Sequence, residues 1–332
     1  MAKRQRVNSR NFIWYALPMM IFLGLSWLYE PWFYQRYIAS DDLHNIRKRD
    51  FKVVGHKGAS GYAPENTLAS FQKAIDLGAD MIEIDVHYTK DGEVVVFHDE
   101  EVSRTTNGQG LIHEFTLEEV KQLDAGSWFD PAYAGEEIPT LEETLDLIHG
   151  KLECIIDIKS KGHQYYDGFA ARIIEIIEEK GAKDWCIVQA YDEQYLEDAF
   201  TADSLILASK GSFHPDSTIE MKKIMMGEEE THLLAFYINA KHFTDHRNMH
   251  EFYTTLNPHY TTLSQRRIFR FKARGYKVFT YVVNEREDML KMLSMGVDGI
   301  ITDFPDKMVR IKHQLDSIDR ELRIEDEREK AL

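Results

Sequence analysis

Two histidines and a carboxylate pair fall within residues 53–100, in a pattern suited to phosphate ester chemistry. The segment reads VVGHKGASGYAPENTLASFQKAIDLGADMIEIDVHYTKDGEVVVFHDE. Short apolar runs end in His56 and His98, and between them MIEIDV sets Glu83 and Asp85 two positions apart. In a strand, side chains at i and i+2 share a face, so both carboxylates project together, opposite the apolar Ile82, Ile84 and Val86. A carboxylate pair can hold a hard cation, and imidazoles exchange protons near neutral pH. Such a set fits metal-assisted cleavage of a phosphate ester. One histidine takes a proton from the attacking oxygen and the other gives one to the leaving oxygen.

Other polar groups end apolar runs further on. Asp157 and Lys159 close ECIIDIK with a shared parity, Gln189 lies near the end of WCIVQAY, and Asn284 follows KVFTYVV. Glu83, Asp85 and Asp157 are oxygen donors from two runs, which suits Ca2+ or Mg2+. No Cys/His group has zinc spacing. Lys57 and Lys159 can balance the remaining phosphate charge. Each residue alone has a plainer structural reading, and it is their coincidence at strand ends that singles them out. His149, His163, His214, His242, His246, His250 and His259 lie in polar stretches and are expected on the surface or in loops.

These groups need a scaffold that gathers strand ends. From residue 51 onward, apolar runs alternate with helical patterns: 52–56, 81–86, 93–98, 153–159, 185–191, 205–209, 233–239, 277–283 and 299–303. In NTLASFQKAIDLG, Leu68, Phe71 and Ile75 form one stripe, with Asn66 or Thr67 as cap and Gly78 as stop. Fully apolar strands alternating with helices predict a parallel sheet buried on both faces, here an α/β (β/α)8 TIM-type barrel. HYTKDG is too short for a parallel crossover, so 81–86 and 93–98 are expected to form a hairpin that adds an extra strand. Residues 100–143 hold no strong strand and follow a strand end, so this insertion should cover the functional face. The barrel is read over 51–312. The charged C-terminal helix or tail, 313–332, belongs to a 3-4 stripe of Met308, Ile311, Leu315, Ile318 and Leu322 and is expected to fray beyond Arg323.

The chain has 332 residues and a net charge of −16, which argues against a nucleic-acid partner. Cys154 and Cys186 lie in apolar runs and read as buried free thiols. The N-terminal part differs in kind. Residues 1–10 are basic, and 11–29 are 19 residues without a charge, long enough to cross a bilayer. Trp14, Tyr15, Trp27, Tyr29, Trp32 and Tyr34 cluster near the two ends of that stretch. One transmembrane anchor is expected over 11–34, followed by a linker over 35–50. The basic start puts the N-terminus in the cytoplasm and the catalytic body on the extracytoplasmic side of a single-pass membrane protein.

GHKGASGYAPENTLASF, EIDVHYTKDGEVVVFHD, RTTNGQG, TLEEVKQLDAGSWF, IPTLEE and GVDGIITDFPD, in that order, closely resemble the glycerophosphodiester phosphodiesterase family. The resemblance runs from about Val53 to Pro305. It implies a (β/α)8 barrel with a small inserted subdomain and metal-dependent hydrolysis of glycerophosphodiesters to an alcohol and glycerol 3-phosphate. It implies His56 and His98 as the acid/base pair and Glu83, Asp85 and Asp157 as ligands of a divalent cation. Glu65 and Lys159 are implied at the glycerol phosphate site, which Lys57, Gln189 and Tyr281 are expected to share. Lys57 stands where the family carries arginine, which exchanges a bidentate fork for a point charge. Asp157 replaces a glutamate, and Tyr281 stands where tryptophan is common. A second reading is a lysophospholipase D, with Trp128, Phe129, Tyr133 and Tyr191 against an acyl chain. A third is a catalytically weakened, membrane-anchored binding protein.

Overall fold

The period-two apolar runs become strands and the stripes between them become helices. A computed structural model of the chain describes residues 51–160, 166–203, 207–211 and 254–330. In chain order the first half holds β1 (Lys52–His56), α1 (Leu68–Asp76), β2 (Met81–Tyr88), β3 (Val94–Val96), α2 (Leu117–Val120) and α3 (Leu141–Ile148). Next come β4 (Glu153–Ile158), α4 (Phe169–Glu179), β5 (Cys186–Ala190), α5 (Glu193–Ala202) and β6 (Leu207–Gly211). The chain ends with β7 (Thr255–Asn257), α6 (Gln265–Lys272), β8 (Lys277–Thr280), α7 (Arg286–Met295), β9 (Gly299–Thr302) and α8 (Pro305–Lys330). The expected strand at 233–239 lies outside the described residues.

The strands follow the order β1-β9-β8-β7-β6-β5-β4-β2-β3, and β1 also pairs with β2, which closes the ring. Every pairing is parallel except that of β2 with β3. This is a TIM-type barrel, as the alternation of runs predicts, with β3 as the extra hairpin strand; β7, three residues long, takes a barrel position for which the sequence shows no apolar run. The register explains what β3 does. β1 pairs with β2 at Met81, Ile82 and Glu83, and β3 takes the same edge further along, at Val86, His87 and Tyr88. β3 runs back along that edge from Tyr88 to Val86, toward the point where β1 stops, so the residues after both strands come together at the barrel mouth.

Parity separates two layers. Ile82, Ile84, Ile156 and Val188 point outward and pack with Phe71, Leu145 and Ile173 of the helices. Val54, Met81, Ile155, Phe279 and Ile301 point inward and fill the barrel floor. Glu83, Asp85 and Asp157 continue the inward rows above this floor, each almost fully buried. Carboxylates at such depth need compensating partners, and the mouth of the barrel supplies them.

The segment between β3 and α3 wraps its own small core of Val95, Phe97, Val102, Ile112, Val120, Ala125 and Ile138. α2 opens on a capping box of Thr116 and Glu119. At the other end of the chain, Met308, Ile311 and Leu315 bury α8 against the barrel while Leu322 is exposed. α8 does not fray at Arg323 but runs to Lys330. The helix formers of ELRIEDEREK sustain this last stretch, in which Leu322 and Ile324 are exposed. Cys154 and Cys186 are buried free thiols, paired in register between β4 and β5. Among the described residues no helix is long and apolar enough to cross a membrane. The anchor expected over 11–34 lies outside those residues.

Candidate active site

The carboxylate cluster is built by register. Asp85 stands opposite Asp157, and Asp157 opposite Gln189, across β2, β4 and β5. Glu83, Asp85 and Asp157 each offer an oxygen within 4.8 Å of the others. The ammonium of Lys159 lies 2.8 Å from Asp85 Oδ1 and 2.5 Å from Asp157 Oδ2. Asp85 Oδ1 is buried, with the Lys159 ammonium as its close partner. Three buried carboxylate oxygens this close together fit a hard divalent cation. Three buried carboxylates crowd beside the ammonium of Lys159, with that of Lys57 further off, and their mutual repulsion opposes ionisation of all three. Burial, and then the charge of Asp85, push Glu83 up to about 7. Burial works against Asp85 as well, but Lys159 and the other nearby cations hold its carboxyl well below the usual range.

Supporting groups orient this cluster. Asn66 donates through Nδ2 to Asp85 Oδ2 at 2.7 Å and accepts from the Asp85 backbone N–H at 3.3 Å. Asn66 has a left-handed φ of 57°, which frees its side chain for the site, while Thr67 caps α1. Gln189 donates to Asp157 Oδ1 at 3.0 Å and accepts from the buried Asn257. Lys57 bonds Glu65 at 2.9 Å through its ammonium, which also stands 4.0 Å from Asp85, while its backbone N–H reaches Glu83 at 3.2 Å. Lys57 too has a positive φ, 52°, and is followed by Gly58 at 86°. A Cβ on Gly58 would stand 2.1 Å from Ser70 Oγ, so glycine alone fits this turn. Tyr281 accepts from the Tyr191 hydroxyl at 2.9 Å, and the Tyr191 ring lies beneath Lys159.

Each strand-end histidine is paired with an aspartate. His56 Nδ1 lies 2.6 Å from Asp303 Oδ1, and His98 Nδ1 lies 2.6 Å from Asp99 Oδ1. An ionised carboxylate only accepts, so in both rings Nδ1 carries the hydrogen and Nε2 is left for chemistry. Ser60 and Asn284 also donate to Asp303, at 2.8 and 2.6 Å. Asp99 is gripped instead by the guanidinium of Arg104. Burial alone would lower the pKa of His56, but the bond to Asp303 and the charge of Glu83 outweigh it and raise it. Burial also opposes the ionisation of Asp303, yet the bonds from His56, Ser60 and Asn284 bring it down to about 2.

His56, Lys57, Glu65, Glu83, Asp85, Asp157, Lys159 and Gln189 thus form one connected set. Tyr281 joins it through Tyr191, and His98 reaches it through Asp99, Arg104 and Glu65. Asp99, Arg104, Asp303 and His87 are not among the residues expected at the site, and Asn66 is expected only as a candidate helix cap. Asp99 and Asp303 were visible as the residue after a strand-end histidine and the Asp of the TDFPD run. His259 is a correction. It does lie in a loop, the one after β7, but it is buried there rather than on the surface, edge-on to the Tyr281 ring. The polar TLNPHYTT segment around it lies at the barrel mouth, where polar residues are enclosed.

The fold and this site define a TIM-type barrel that carries two histidine–aspartate dyads and a buried carboxylate cluster able to hold a cation. The model of the Glycerophosphoryl diester phosphodiesterase family matches residues 56–307, and the chain belongs to that family. It is 37% identical over 260 residues to a glycerophosphodiester phosphodiesterase of Caldanaerobacter subterraneus subsp. tengcongensis, covering 78% of this chain and 96% of that one. It is 32% identical over 270 residues to a glycerophosphodiester phosphodiesterase of Bacillus subtilis, covering 78% and 86%. Among solved structures, an Oleispira antarctica phosphodiesterase in complex with the product sn-glycerol-3-phosphate superposes with a TM-score of 0.62 at 29% identity. That match covers 78% of this chain and 96% of that one.

Proposed function

We propose that the protein hydrolyses glycerophosphodiesters to an alcohol and glycerol 3-phosphate by two-histidine acid/base catalysis. The observation that carries this reading is the pair of histidine–aspartate dyads beside three clustered, buried carboxylates, in a chain of this family. Glu83, Asp85 and Asp157 would hold the divalent cation, Ca2+ or Mg2+. When bound, such a cation polarises a phosphoryl oxygen and lowers the pKa of a neighbouring hydroxyl.

The protein's own groups do the rest. Nε2 of one histidine accepts the proton of the glycerol 2-hydroxyl as its oxygen attacks phosphorus. Nε2 of the other protonates the departing alcohol, and with roles reversed the pair then admits water to open the cyclic phosphate. Asp99 and Asp303 keep both Nε2 atoms free for this. Lys57 and Lys159 balance phosphate charge, with Glu65, Gln189 and Tyr281 lining the glycerol phosphate site. Residues 11–34 anchor the protein in a membrane with the barrel on the extracytoplasmic side; their length, lack of charge, aromatic ends and basic N-terminal flank support this.

One observation favours a lysophospholipid as the substrate. Trp128 is 40% exposed and stacks edge-on with Phe129, which contacts Tyr133 in the same way. Initial rates on glycerophosphocholine and lysophosphatidylcholine, each with Ca2+, Mg2+ and chelator, test both readings. The proposal expects cation-dependent release of glycerol 3-phosphate from glycerophosphocholine. Release of choline from the lysolipid alone, leaving lysophosphatidic acid, supports the second reading, and no choline from either substrate overturns both.

A further inference from the structure

Arg104 lies in the inserted segment, not in the barrel. Its guanidinium nevertheless holds carboxylates from two barrel loops. Nη1 and Nη2 donate to Glu65 Oε2 and Oε1 at 3.1 and 2.7 Å. Nε reaches Asp99 Oδ2, and Nη2 reaches Asp99 Oδ1 at 3.1 Å. Beyond these carboxylates lie two functional groups. Asp99 Oδ1 receives His98 Nδ1 at 2.6 Å, and Glu65 Oε1 receives Lys57 Nζ at 2.9 Å. One planar fork therefore ties a strand-end histidine to a phosphate-facing lysine.

The geometry points to Arg104 as a positioning residue for His98, through which the inserted segment sets the orientation of that imidazole. The inference rests on His98 being one of the two proton-transfer groups. The main chain at His98 is held separately, since His87 donates from Nε2 to the His98 carbonyl at 3.1 Å. What Arg104 governs is thus the rotation of the ring through Asp99. It also neutralises Asp99 and Glu65 beside a site that must accept a phosphodiester anion. The Arg104 side chain is 46% exposed, and ion pairs that open to water contribute on the order of 0–1 kcal/mol to stability. Truncating it should therefore leave the fold intact. Lysine would keep the charge but cannot make parallel bonds to two carboxylates.

The test compares wild type, Arg104→Ala and Arg104→Lys on glycerophosphocholine with saturating cation. A wild type that does not turn over refutes the proposed function itself, not the role of Arg104. With active wild type, Arg104→Ala is expected to lose about 10- to 100-fold in kcat, with KM within about threefold and the melting temperature nearly unchanged. Millimolar guanidinium should restore part of that kcat without stimulating wild type. Adding Asp99→Asn to Arg104→Ala should cost less than Asp99→Asn costs alone, because the two residues act in series. A kcat within twofold of wild type overturns the inference. So does a loss that guanidinium does not relieve and that adds fully to that of Asp99→Asn. Should Arg104→Ala not fold, Arg104→Lys carries the test: a kcat at least about fivefold lower supports the role, and an unchanged kcat overturns it.

Discussion

His56 and Asp303, 247 positions apart in sequence, meet at 2.6 Å across the seam where β1 pairs with β9. Closure of the barrel makes this dyad, since Asp303 follows the last strand and His56 ends the first. The second dyad, His98–Asp99, is between neighbours in sequence. One dyad thus forms locally, and the other forms only when the ring is complete.

Asp303 accepts from His56 and Ser60 at Oδ1 and from Asn284 at Oδ2. An amide at this position sets a donor against a donor in either orientation. Asp303→Asn is therefore expected to fold but to lose roughly 10²- to 10⁴-fold in kcat, because the His56 imidazole loses its fixed tautomer. Steady-state kinetics beside circular dichroism checks this.

Asn66 holds Asp85 from both its amide oxygen and its nitrogen. Groups that orient a metal ligand typically govern 10- to 100-fold of metal affinity, so Asn66→Ala should weaken the Ca2+ or Mg2+ that supports activity by roughly 10- to 100-fold. Chelation should abolish turnover and lower the melting temperature, since a cation held only by the folded state stabilises it. A cation titration of kcat/KM and a thermal scan with and without chelator measure both effects.

His87 donates to the His98 carbonyl through Nε2, and its buried Nδ1 has no hydrogen-bond partner. Burial lowers its pKa from 6.5 to about 4. Between those values the unfolded chain binds the proton more readily than the folded one, so stability falls as pH falls from 6.5 toward 4. The loss between roughly pH 7 and pH 5 should be about 2 kcal/mol. His87→Gln, which keeps a donor but does not titrate, should remove that part of the slope. Urea unfolding of both proteins across this range gives the comparison.

Gly58 needs its positive φ and has no room for a Cβ beside Ser70. Gly58→Ala is expected to destabilise by more than about 2 kcal/mol and to disturb the Lys57 backbone bond to Glu83. Denaturant midpoints and the KM for substrate report the two consequences.

Much of this was legible in the residues. The inward parity of Glu83, Asp85 and Asp157 followed from strand periodicity, and the short HYTKDG link foretold the antiparallel β3. What stayed hidden were contacts between distant segments. Asp303 matters only because the ring closes, and no local pattern carries that. Asn66 looked like a helix cap because asparagine favours caps, yet its left-handed φ turns the amide to Asp85. Arg104 sits in a polar stretch whose periodicity says nothing about two carboxylates, one 39 positions before it and one five. The polar neighbours of His259 suggest a surface or loop position, yet Thr255, Asn257 and His259 itself are enclosed at the barrel mouth.

The most direct measurement is release of glycerol 3-phosphate from glycerophosphocholine by wild type, His56→Asn and His98→Asn, with and without divalent cation. The account predicts cation-dependent turnover by wild type and a loss of at least about 10²-fold in each folded variant. Both variants turning over within a fewfold of wild type would contradict it.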